Sequence, residues 1–176
     1  MWSKKEKGYI FGLFAGDGYS YHNKKDRHYT VEFYLNSIRD KDIEKYLVSI
    51  LKKRGFIVHL SKDKRFNCKR IRVHSKEFFQ EIKDNCCIVT KDYKLGFVSG
   101  LIDAEGYVSS KKSMITVTNT NKRLLLKLKR FLKEFGVNSS IKKKKKGWKE
   151  KLDQYILHVS IKFKSLNHVS KKAGRK

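Results

Sequence analysis

Proline is absent from the 176 residues, so no ring-locked backbone ends an element in this chain. Punctuation must come from glycine and polar caps instead. Cysteine is scarce. Cys68, Cys86 and Cys87 form no metal-spaced pair and cannot all pair with one another, which excludes a disulfide framework. Reduced thiols in an intracellular compartment, cytoplasmic or organellar, are the expectation. Long apolar runs are missing as well: none approaches the ~18 residues of a membrane span. The opening Met1-Trp-Ser-Lys-Lys has no apolar stretch directly behind it, so it is not read as a secretion signal. The six histidines are scattered and make no His-x-Glu pattern, which leaves a histidine-metal centre without support. Acid is scarcest of all relative to its opposite: 17 Asp and Glu stand against 43 Lys and Arg, a net charge of +26. A surplus of that size repels itself in the compact state and calls for a polyanion, with nucleic acid the first candidate.

What is present is a stretch that occurs twice. The first copy runs Tyr9-Ile-Phe-Gly-Leu-Phe-Ala-Gly-Asp17-Gly-Tyr-Ser20 and the second Phe97-Val-Ser-Gly-Leu-Ile-Asp-Ala-Glu105-Gly-Tyr-Val108. At a constant offset of 88, nine of the twelve positions are identical or conservatively exchanged. Each copy reads as an apolar helix ending in a carboxylate and a glycine. Gly12 and Gly16, like Gly100 and Ala104, are four apart and share one helix face. Small residues there let two helices pack more closely than the usual ~8–10 Å. A parallel pair would bring Asp17 and Glu105 together at one end. A carboxylate at a helix C-terminus opposes the macrodipole, and two such groups repel each other. A metal ion would relieve both effects.

The rest of the chain repeats with the same offset. Ser3 and Glu6 predict a capping box for the first helix, and Thr90 caps the second motif helix. Alternation predicts half-buried strands with Val31, Phe33 and Leu35 inward, then Ile71 and Val73, Ile115 and Val117, and Leu157 and Val159. Helical spacing marks 40–54 and 121–135, stopped by Gly55 and Gly136. Ser75 starts a short helix, Leu166 to Ser170 forms a closing turn, and the tail 171–176 is expected to fray. The fold class is therefore α+β, with two α-β-β-α-β-β-α halves, residues 1–88 and 89–176. Each half carries a four-stranded antiparallel sheet, and the motif helices join them. The outer sheet faces and turns make a basic saddle for double-stranded DNA. Its candidate contacts are Lys24, Lys25, Arg27, Thr30, Glu32, Tyr34, Asn36, Arg65, Arg70 and Arg72 in the first half. In the second they are Lys111, Lys112, Thr116, Thr118, Lys142, Lys143 and Lys144. Arg70 and Arg72 are the candidates for reading guanine.

Ile10-Phe-Gly-Leu-Phe-Ala-Gly-Asp-Gly18 and Val98-Ser-Gly-Leu-Ile-Asp-Ala-Glu-Gly106 resemble the LAGLIDADG motif of homing endonucleases. The second copy differs from the family core only by Glu for Asp. Two motifs in one chain imply the pseudo-symmetric, monomeric form. The resemblance implies metal-dependent cleavage of both strands of a long DNA target, leaving short 3′ overhangs. It assigns Asp17 and Glu105 as catalytic, metal-binding carboxylates and the Gly16 and Ala104 carbonyls as metal contacts, with Mg2+ or Mn2+ as cofactor. The family's basic or amide residue has no obvious lysine here. Asn36, Asn119 and Thr120 fall near its place, and Lys24 and Lys112 are alternative sources of charge. The same fold also allows an intron maturase that binds RNA, or a DNA-binding protein with a silent site.

Overall fold

The computed structural model describes residues 1–25, 27–63, 67–84, 89–109, 114–144, 152–160 and 171–174. The first half runs α1 (Lys4–Asp17), β1 (Gly18–Asn23), β2 (His28–Asn36), α2 (Lys41–Lys53), β3 (Val58–Asp63), β4 (Cys68–His74) and α3 (Lys76–Asp84). The second runs α4 (Lys91–Glu105), β5 (Gly106–Ser109), β6 (Met114–Asn119), α5 (Lys122–Glu134), β7 (Ser139–Lys143), β8 (Tyr155–Ser160) and α6 (Lys171–Gly174). This is the expected α+β order. The sheets are antiparallel, β1-β2-β4-β3 and β5-β6-β8-β7.

Local chemistry sets the helix ends. The Ser3 hydroxyl accepts from the Glu6 N–H, and the Glu6 carboxylate accepts from the Ser3 N–H, which closes the capping box. Thr90 caps α4 by accepting from the Tyr93 N–H at 3.2 Å. After α2 and α5, Gly55 and Gly136 take φ of +91° and +68°, where a Cβ would be strained. Gly18 and Gly106 end the motif helices differently. Their φ values are −96° and −82°, so a left-handed turn is not the reason for glycine. A Cβ at Gly18 would strike Phe14, and one at Gly106 would strike the Ile102 carbonyl.

Register places the core. Val31 faces Val73 and Phe33 faces Ile71, while Ile115 faces Val159 and Val117 faces Leu157; all eight are buried. Helices α1, α2 and α3 cover the first sheet, and α4 and α5 cover the second. The motif helices are buried nearly all round, as helices apolar on every side must be. They run parallel, and the seam extends a turn beyond the predicted pair. A Cβ on Gly8 would collide with the Tyr93 carbonyl, and on Gly12 with that of Phe97. On Gly96 it would collide with Lys5 and on Gly100 with Tyr9. At the far end Gly16 lies against Ala104 and Glu105.

One expectation changes. Residues 171–174 form a helical turn seated on α4, where fraying was expected, because a buried carboxylate takes up the turn's backbone donors. The predicted turn at 166–170 and the thiols of Cys86 and Cys87 lie outside the described residues.

Candidate active site and nucleic-acid interface

The parallel seam delivers Asp17 and Glu105 to one end of the helix pair, each half-buried. Burial raises the Asp17 carboxyl to about 7; repulsion from Glu105 and Asp40 adds to this, and Lys172 opposes it. Burial also lifts Glu105 above the usual carboxylate range, while a hydrogen bond from Asn119 and the charge of Lys172 pull it back. The Asn119 amide donates to Glu105 at 2.7 Å. Its register partner in the other half is not Asn36. Phe33 faces Gly18 as Val117 faces Gly106, so Asn119 corresponds to Leu35 and Asn36 to Thr120. The Asn36 side chain is instead spent on the turn, accepting from the Ile38 and Arg39 N–H groups. The two carboxylates are thus supported unequally.

Four residues escaped the sequence reading. The Lys172 ammonium donates to the Ala104 carbonyl at 2.9 Å, although no lysine was expected there. Asp103 is fully buried and accepts from the Tyr9 hydroxyl of the opposite helix at 2.7 Å. Tyr19 and Tyr107 flank the helix ends, 55% and 69% exposed. For Asp103 and the tyrosines a signal was present. Asp103 is a charge inside an apolar repeat, opposite Ala15 in the first copy, and the tyrosines are repeat identities.

A hard divalent cation suits this donor set. The Asp17 and Glu105 carboxylates and the Gly16 and Ala104 carbonyls offer only oxygen, and the repulsion that raises Asp17 is relieved by positive charge. No cluster of three or more His, Cys, Asp or Glu side chains suited to a metal occurs among the described residues.

Of the predicted DNA contacts, the outer faces carry Thr30, Glu32, Tyr34, Arg70, Arg72, Thr116, Thr118 and Lys142. Rows run across the first sheet as Tyr19, Glu32, Arg72, His59 and as Tyr34, Arg70, Ser61. The second sheet has Tyr107, Thr116, His158, Ser140 and Thr118, Ile156, Lys142. Within these rows the residues differ. Glu32 and Thr30 are buried, and Thr30 bonds to His74. The Glu32 carboxylate accepts from Arg72 Nε and from the Tyr34 hydroxyl, both at 2.5 Å, with Arg70 4.0 Å away. Arg70 donates to Ser61 and is the more open of the two arginines. Lys24, Lys25 and Arg27 are exposed in the β1–β2 turn, where Arg27 has a φ of +52°. Lys142 is exposed, Lys143 pairs with Asp153, and Lys144 donates to Gln154. Arg65, Lys111 and Lys112 lie outside the described residues.

Site and fold together define a class. Residues 92–165 match the LAGLIDADG-like domain and residues 6–82 the WhiA LAGLIDADG-like domain. Each half thus matches a LAGLIDADG-like domain, and the chain has the single-chain, two-motif LAGLIDADG fold. Among particular relatives, an uncharacterized protein of Methanocaldococcus jannaschii is 30% identical over 177 residues. That match covers 97% of this chain and 64% of the relative, so the chain spans under two thirds of that protein's length. The homing endonuclease I-DmoI, solved in complex with DNA and Ca, superposes with a TM-score of 0.71 at 22% identity, covering 92% of this chain and 88% of its own. The N-terminal LAGLIDADG domain of WhiA gives 0.64 at 16% identity, covering 99% and 88%. No helix among the described residues is long and apolar enough to cross a membrane.

Proposed function

We propose that this chain is a site-specific endonuclease that cuts both strands of a long double-stranded DNA target with Mg2+ or Mn2+, leaving short 3′ overhangs. One observation carries the reading: two half-buried, mutually repelling carboxylates at adjoining helix ends, an arrangement that raises Asp17 to about 7 and that stability alone does not favour. I-DmoI structures with DNA and Mn support it. Asp17, Glu105 and the Gly16 and Ala104 carbonyls would hold metal. A bound metal supplies polarisation of the phosphoryl oxygen and an activated water. Asn119 orients Glu105. Arg70, Arg72, Tyr34 and the threonines of the second sheet face the groove, with Glu32 holding the arginines from beneath. The β1–β2 turn and the β7–β8 hairpin contribute phosphate contacts. Residues 1–88 and 89–176 act as the two halves, each serving one strand, in a monomer.

The test is selection of a bound site from random duplexes, followed by incubation of that site with Mg2+. Wild type is expected to cut both strands. Asp17→Asn and Glu105→Gln should keep binding and lose double-strand cleavage. Full cleavage by either variant would overturn the assignment. A second reading, a DNA-binding protein with a silent centre, is favoured by the Lys172 ammonium on the Ala104 carbonyl. It predicts a selected site that wild type binds and never cuts.

A further inference from the structure

We propose that Lys172 is a tethered cation that competes with divalent metal for the carbonyl and carboxylates of this site. The inference rests on the metal-site reading above and adds a residue 67 positions beyond the second motif carboxylate. Its ammonium lies 2.9 Å from the Ala104 oxygen, a group assigned to the metal, and its charge acts on both Asp17 and Glu105. The backbone at 171–172 is tied down. Asp103, fully buried, accepts the backbone N–H of Lys171 on one oxygen and that of Lys172 on the other, each at 2.8 Å. The Tyr9 hydroxyl fastens the same carboxylate from α1. The Lys171 ammonium sits 4.4 Å from the centre of the Tyr46 ring, so the two lysines of this turn diverge. Ala15 stands where the first motif would need Asp103, so only the second half can build the latch.

A flexible four-carbon stem on an anchored backbone can swing its charge away without undocking the turn. An ammonium and a divalent ion repel each other at one carbonyl oxygen, so each disfavours the other there. Metal entry therefore favours withdrawal of Lys172, and the lysine lowers apparent metal affinity by the differential stability of the two states.

The full chain, without DNA and at one pH above neutrality, is titrated with Mn2+, and free ion is read by electron paramagnetic resonance. Lys172→Met should bind Mn2+ on the order of tenfold more tightly than wild type. Lys172→Gln supplies a second neutral variant should the first misfold, with circular dichroism as the check. Lys171→Met, which leaves the Ala104 contact in place, should match wild type. Uptake by Lys172→Met but not by wild type would support the proposal in its strongest form. Equal or weaker affinity in the folded neutral variants would overturn the competition and leave the metal site standing. Failure of every protein to take up Mn2+ would overturn both.

Discussion

Asp17 carries the sharpest consequence of any single side chain. Its folded-state value of about 7 lies above its ordinary 3.8, so between those limits the folded protein holds a proton that the unfolded chain has released. Metal-free stability must then fall as pH rises from about 4 to 7, by at most on the order of 4 kcal/mol. Glu105 adds to the fall in the same direction. Melting curves in chelator should show this decline, and Asp17→Asn should flatten it while leaving the protein more stable at pH 8. A variant that tracks wild type across the range would mean that Asp17 ionises freely. Asp17 and Glu105 were legible because the repeat prints them twice. Lys172 was not, because its place depends on where a distant turn docks. Asn36 and Asn119 were indistinguishable in sequence. Register parity decides between them, sending Asn119 toward the helix end and Asn36 into a turn.

At the scale of the element, the parallel pair α1 and α4 dominates. Their backbones meet through Gly8, Gly12, Gly96 and Gly100 against main-chain carbonyls, which cannot step aside as a side chain can. Gly12→Leu or Gly100→Leu should therefore cost on the order of 1–3 kcal/mol or more in chemical unfolding. An unchanged midpoint for Gly100→Leu would contradict the seam. The four-residue spacing announced this face, but it began a turn earlier than the repeated window, so Gly8 and Gly96 went unread. Capping was legible because Ser3 and Thr90 act on backbone three residues away. The docking of 171–174 is a long-range event that no local pattern encodes.

For the molecule as a whole, the order of elements followed from periodicity, whereas the strand order did not, because β2 and β4 are joined only through distant pairing. Cationic charge is spread over both halves, so DNA binding should weaken steeply with salt, by about 0.9 logarithmic units per logarithmic unit of salt for each phosphate neutralised. The two arginines should behave differently within that binding. Arg70→Ala should lose roughly 1–3 kcal/mol on the selected site and relax preference at one or two base pairs. Arg72→Ala should in addition lower the melting temperature, because it leaves the buried Glu32 without its closest cation. Binding series on specific and scrambled duplexes at several salt concentrations, beside melting curves, separate these effects. Equal weakening on both duplexes by Arg70→Ala would show that this face reads no bases. The hydrogen bond from Tyr9 to Asp103 crosses the seam in one direction only. Its counterpart under the twofold pairs Phe97 with Ala15, which is apolar. Two first halves placed together would leave the Tyr9 hydroxyl opposite Ala15, and two second halves would set Asp103 opposite Phe97. The halves are keyed like plug and socket: each accepts the other and is a poor mate for its own duplicate.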